Sequence, residues 1–232
     1  MGLLAFDPLF LLLVGPAILL AFYAQLRVQS AFARYSRIGT TRSFTGADAA
    51  RSILRAAGIQ DVDIEMTRGW LSDHYDPRSK TLRLSPRVHD GRSIASVGIA
   101  AHEAGHAIQH AAGYAPLKFR SAVVPVAGIG SWLAWPMILG GLFFRSFGLI
   151  QLGILLFAVL VLFQIATLPV EFNASTRAKA ALADSGIVVT EEEARGVSRV
   201  LSAAALTYVA ATVAAIAQLL FFLLRFGLGS RD

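Results

Sequence analysis

His102-Glu103-Ala104-Gly105-His106 places two imidazoles four residues apart with a carboxylate directly after the first. On a helix, four residues advance about 6 Å and turn a little more than once, so both rings share a face and can grip one ion. Glu103 then falls at the adjacent position, where it can polarise a water at the ion without being a ligand. The chemistry implied is metal-assisted hydrolysis. The chain has no cysteine, so thiolate sites, disulfides and cysteine nucleophiles are excluded together, and any metal must be held by His, Asp or Glu.

A hydrolytic metal site needs a third protein donor and an open position. His110 continues the four-residue step, but it lies about 12 Å along the helix axis from His102, too far for one ion to meet all three. The longer pattern HExxHxxGxxH is absent, because position 109 is Gln and position 112 is Ala. Glu171 is the best remaining donor. No acid occurs from Lys118 to Val170, and Glu171 follows directly. A lone carboxylate at the end of an apolar stretch is costly unless paired or coordinated. The competing reading is an N-terminal helix charge favoured by the macrodipole.

These residues must be held by a chain that is 55% hydrophobic, 16% charged and 232 residues long. Four stretches, 8–26, 121–144, 146–170 and 200–224, lack Asp, Glu, Lys and Arg altogether. Each can cross a hydrocarbon core of about 30 Å as a helix. Two crossings separate His106 from Glu171, so every topology leaves them on one side. The formal charge of +6 reads as positive-inside bias rather than nucleic-acid binding. Arg27, Arg34, Arg37, Arg42, Lys118 and Arg120 assign 27–120 to the cytoplasm, and Arg177, Lys179, Arg195 and Arg199 assign 171–199 there too. Both termini are then outside, with Arg225 and Arg231 against the trend. The organisation expected is 1–26 with the first membrane helix, a cytoplasmic metalloprotease-like domain over 27–120, membrane helices over 121–170, cytoplasmic helices over 171–199, and the last membrane helix in 200–232. Gly128, Gly130, Gly140 and Gly141 in the second stretch suggest close helix packing at a bundle interface.

Within 27–120 the pattern predicts a helix from Thr45 or Gly46 to a stop at Gly58, then an alternating strand over 62–66. Segments 70–75 and 81–85 flank Asp76-Pro77-Arg78-Ser79-Lys80 as a hairpin. Ser93 then caps the HExxH helix, which ends near Gly113. In the second wet segment a helix is expected from Glu171 to Asp184 with Gly186 as its stop. Thr190 to Glu193 matches a capping box opening the last long helix.

The run from His102 to Gln109, Asp73-His74-Tyr75-Asp76-Pro77 upstream and Leu168-Pro169-Val170-Glu171-Phe172-Asn173-Ala174-Ser175 downstream resemble the bacterial YugP-type membrane zinc metallopeptidases. The resemblance covers nearly the whole chain and extends, more distantly, to the HtpX-type membrane proteases. It implies a mainly α, integral membrane protein with about four transmembrane helices. With them goes a cytoplasmic α+β zinc-metalloprotease-like domain carrying an HExxH helix and a small β-hairpin or sheet. It implies Zn2+ held by His102, His106 and Glu171, with Glu103 as general base. In the distant relatives an Asp stands where Ser175 stands here, so the residue that would orient a ligand histidine differs.

The expected function is an integral membrane zinc endopeptidase in the bacterial inner (plasma) membrane, its site facing the cytoplasm, with polypeptide substrates drawn from membrane proteins. The alternative is a non-catalytic zinc-binding membrane partner or adaptor of a larger protease or assembly complex. His74, Tyr75 and Arg177 are candidates to stabilise an oxyanion.

Overall fold

The computed structural model describes residues 7–69 and 72–227. Seven helices and three short strands follow in order: α1 Pro8–Tyr35, α2 Gly46–Ala56, β1 Asp63–Met66, β2 His74–Asp76, β3 Thr81–Leu84, α3 Pro86–His89, α4 Ile94–Ala111, α5 Ala115–Phe143, α6 Phe147–Asp184 and α7 Glu191–Phe222. A π-helical turn, Leu223–Gly227, ends the described chain. Four helices, α1, α5, α6 and α7 with its π turn, are long and apolar enough to cross a membrane. Each covers one of the charge-free stretches, with Phe144 and Ser146 falling just outside α5 and α6. The chain divides into two compact units.

The first unit comprises the chain up to Gln25, Phe119–Leu168 and the chain from Thr207 onward. Its centre is a cluster of Val14, Ala134, Ile138, Ile154, Phe157, Phe221 and Phe222. Phe222 takes the edges of Trp135 and Phe157 at centroid distances of 5.4 Å each. Large apolar residues elsewhere face outward, among them Leu12, Leu19, Trp132 and Phe143, as a lipid-facing surface requires. Gly130 and Gly141 sit where a Cβ would meet Leu156 O and Ile150 of α6, whereas Gly128 and Gly140 face open space. The glycine stripe therefore serves helix contact at two positions only.

The second unit is Leu26–Lys118 with Pro169–Leu206. Helices α2 and α4 pack through Ala49, Ala50, Ile53 and Leu54 against Ala95, Val97 and Ala101, and Leu82 and Leu84 of β3 close the same core. Thr45 caps α2 by accepting from Asp48 N, and Ser93 caps α4 by accepting from Ser96 N. Gly113, at φ +64, lets the chain leave α4. The sheet order is β1-β3-β2. The hairpin pairs Tyr75 with Leu82, and β1 adds to β3 in parallel, Ile64 opposite Leu82.

The hairpin's first strand is shorter than the pattern suggests. Trp70 and Leu71 lie outside the described residues, and Asp73 turns its carboxylate to Ser85, accepting from its N at 2.7 Å and its Oγ at 3.0 Å. Helix α3, opened by Pro86 at its first turn, was not foreseen. Glu171 does not open a helix: α6 runs unbroken from Phe147 through Pro169 to Asp184. With no helix N-terminus at Glu171, the macrodipole no longer accounts for its charge.

The capping box forms in full. Glu193 Oε2 accepts from Val189 N and Thr190 N at 2.9 and 3.0 Å, and Thr190 Oγ1 accepts from Glu193 N. Glu193 Oε1 also accepts from Thr41 N at 2.6 Å, tying the loop before α2 to the start of α7. Burial pushes its pKa up, but these amide hydrogen bonds outweigh it and bring it down to about 2. A carboxyl with a lowered folded pKa stabilises above its unfolded value and loses that contribution as pH falls. Glu193→Gln is therefore expected to lower the stability of the detergent-solubilised chain by about 2 kcal/mol at pH 7. The difference from wild type should shrink between about pH 5 and pH 2. Equal denaturation midpoints at neutral pH would remove this cap from the folding account.

Candidate metal centre

Both halves of the centre come from one helix crossing. Helix α4 brings His102, Glu103 and His106, and α6 brings Glu171. Their approach depends on Gly105, where an added Cβ would lie 2.6 Å from Ala174 O on α6. Any side chain there would push the two helices apart. The two unspecified positions of the motif are thus small for a reason: Ala104 and Ala174 are fully buried, and Gly105 lets one backbone touch the other.

His102 Nε2 and His106 Nε2 converge on a single oxygen, Glu171 Oε2, at 3.1 and 3.6 Å. The rings meet edge to face, 4.8 Å apart at 83°. One donor atom from each of the three residues falls within 4.8 Å of the others. An ion about 2.0–2.2 Å from two ligands at a tetrahedral angle sets those ligands roughly 3.3 Å apart. The separations of 3.1 and 3.6 Å from Glu171 to the two rings straddle that value, and the donors are of the type zinc takes. Glu171 is 2% exposed and His106 7%. Burial makes ionisation of Glu171 costlier, but hydrogen bonds to His102 and His106 outweigh it and hold the carboxyl well below the usual carboxylate range. Burial likewise opposes protonation of His106, and Glu171 with Glu103 outweighs it, raising its pKa. The pocket favours a cation.

The far nitrogen of each ring is also held. Gln109, fully buried, donates from Nε2 to Val170 O at 2.8 Å and to Asn173 Oδ1 at 2.9 Å. Its Oε1 is left to face His106 Nδ1 at 3.0 Å. An amide oxygen only accepts, so His106 carries a proton on Nδ1. Arg177 Nε donates to the same Asn173 Oδ1 at 2.8 Å. His102 Nδ1 meets Ser175 Oγ at 3.2 Å, so Ser175 contacts the far nitrogen of that ring. Such outer contacts fix ring orientation. In the sequence, Gln109 has no role in orienting a ring: it reads there only as a mismatch to a longer motif and as the end of the run from His102.

Glu103 is 8% exposed, and its carboxylate makes no hydrogen bond among the described residues. The remaining candidates lie elsewhere. His110 Nδ1 is 2.8 Å from the Tyr75 hydroxyl, and His74 Nδ1 is 2.8 Å from Ser72 O. Neither His110 nor His74 joins the three donors. Tyr75, pushed up to about 12 by burial, and Arg177 are engaged with His110 and Asn173 respectively.

Two histidines and a glutamate around one point, with a carboxylate beside them, are the donor set of catalytic zinc sites. The chain belongs to the family described as "Putative neutral zinc metallopeptidase", which it matches over residues 10–227. It is 47% identical over 224 residues to the "Putative membrane protease YugP" of Bacillus subtilis (strain 168), covering 97% of this chain and 99% of that protein. No solved structure matches it.

Proposed function

We propose that the protein is an integral membrane zinc endopeptidase of the gluzincin type, with His102, His106 and Glu171 as metal ligands and Glu103 as general base. The observation that carries this reading is the convergence of two Nε2 atoms on one buried Glu171 oxygen, beside a Glu103 carboxylate that makes no hydrogen bond among the described residues. When bound, zinc supplies Lewis acidity toward a water and a peptide carbonyl. Glu103 takes the proton of the attacking water and returns it to the leaving amine. Gln109 and Ser175 keep the two rings turned with Nε2 inward. Burial of Glu171 and His106 keeps bulk water from competing for the donors.

The cytoplasmic assignment of 27–120 and 171–199 rests on the arginine distribution, and membrane proteins are the expected substrates. The test is hydrolysis of an unfolded polypeptide by the full chain in detergent. Cleavage should disappear with a zinc chelator and return on adding zinc. Cleavage insensitive to chelation would overturn the metal-dependent reading.

A further inference from the structure

A groove between the end of α1 and the start of α7 gathers cations that the metal centre does not use. Arg27, Ser30 and Arg34 have the i, i+3, i+7 spacing of one helix face. With Tyr35, and with Arg199 and Ala203 from α7, they line a groove of about 440 Å³. Its floor is buried at Tyr35 and Ala203, 6% and 4% exposed, while the three arginines stand exposed at its rim. Arg199 Nη1 donates to the Tyr35 hydroxyl at 3.1 Å, and the Arg34 guanidinium lies 5.6 Å from the Tyr35 ring centroid. One tyrosine thus positions two arginines.

Among the described residues, no Asp or Glu lines this groove. That sets it apart from the surroundings of Arg51, Arg83 and Arg195, which pair with Asp48, with Glu65 and Asp76, and with Glu191. Topological charge bias accounts for arginines near membrane helices, but it does not require two helices to aim theirs at one acid-free concavity with an apolar floor.

Position along the chain identifies the ligand. Arg27 is the first charge after the stretch 8–26, and Arg199 is the last before 200–224. Cations at the ends of two apolar helices meet phospholipid headgroups. A guanidinium offers paired N–H donors that match phosphate oxygens, and the Ser30 hydroxyl adds another donor. We propose that this groove binds the phosphate of an anionic membrane phospholipid, with the glycerol end resting on Tyr35 and Ala203.

The test uses the full chain, delipidated in detergent, titrated with phosphatidylglycerol or phosphatidylcholine and read by native mass spectrometry. Phosphatidylglycerol should bind about tenfold more tightly than phosphatidylcholine. The Arg34→Gln/Arg199→Gln variant should lose about tenfold of the phosphatidylglycerol affinity, while Arg51→Gln/Arg55→Gln should lose none. Equal binding of the two lipids, an unchanged Arg34/Arg199 variant, or an equal loss in the Arg51/Arg55 variant would overturn the site. Millimolar inorganic phosphate should not compete; effective competition would assign the groove to a soluble phosphate and overturn the lipid reading. If the double variant loses helicity, Arg27→Gln, which leaves Tyr35 and Arg199 in place, is measured in its stead, with the same loss expected and an unchanged affinity overturning the proposal.

Discussion

Glu103→Gln is expected to retain zinc and to lose peptide hydrolysis by about 10²–10⁴-fold, the usual contribution of a positioned general base. The amide is nearly isosteric, so the buried shape around α4 is preserved, and Glu103 is not among the three residues whose donor atoms converge. What the substitution removes is a proton acceptor, with no hydrogen bond among the described residues lost alongside it. The loss should therefore fall on kcat, with KM and metal content near wild type. Undiminished cleavage by a clean Glu103→Gln preparation would take the general base away from this residue. Loss of zinc together with activity would instead make Glu103 part of the metal-holding structure.

What the sequence made legible follows the range of the forces involved. The paired histidines are a local fact of helical spacing, and so are the caps at Thr45, Ser93 and Thr190, which act within three residues. Charge-free stretches show membrane-length helices just as directly, since composition alone decides them. Scarcity of acids singles out Glu171, but the local composition misstates its setting. A change from apolar to charged composition looks like a helix start, whereas α6 continues through it and past Pro169. Proline there withdraws one backbone donor, yet the helix runs on, with Thr167 and Val170 buried before and after it. The remaining features were hidden because they are agreements between distant segments. Parallel pairing of β1 with β3 has no turn signal. Gly105 reads as filler until Ala174 O is placed against it. Gln109 acquires meaning only when Val170 O and Asn173 take its amide and leave its oxygen for His106.

Glu171→Ala should leave a folded chain that no longer holds zinc at purification. Among the described residues, only two imidazoles from one helix then converge, and losing a ligand should cost more than the 10–100-fold typical of an outer contact. Folding should survive, because the crossing of α4 and α6 rests on Gly105 against Ala174 and on buried Ala104 and Ala178, none of which needs the carboxylate. The variant also removes hydrogen bonds that favour the folded, metal-free state, since His102 and His106 hold Glu171 well below the usual carboxylate range. Stability of the metal-free state is therefore expected to fall without loss of the fold, while the extra stability that zinc confers on wild type disappears. Zinc content by elemental analysis, beside thermal unfolding with and without chelator, separates these effects. A variant that retains one zinc per chain would mean that the third donor lies outside the crossing of α4 and α6. A variant that unfolds with or without chelator would make Glu171 a structural partner of the histidines rather than a ligand beside them.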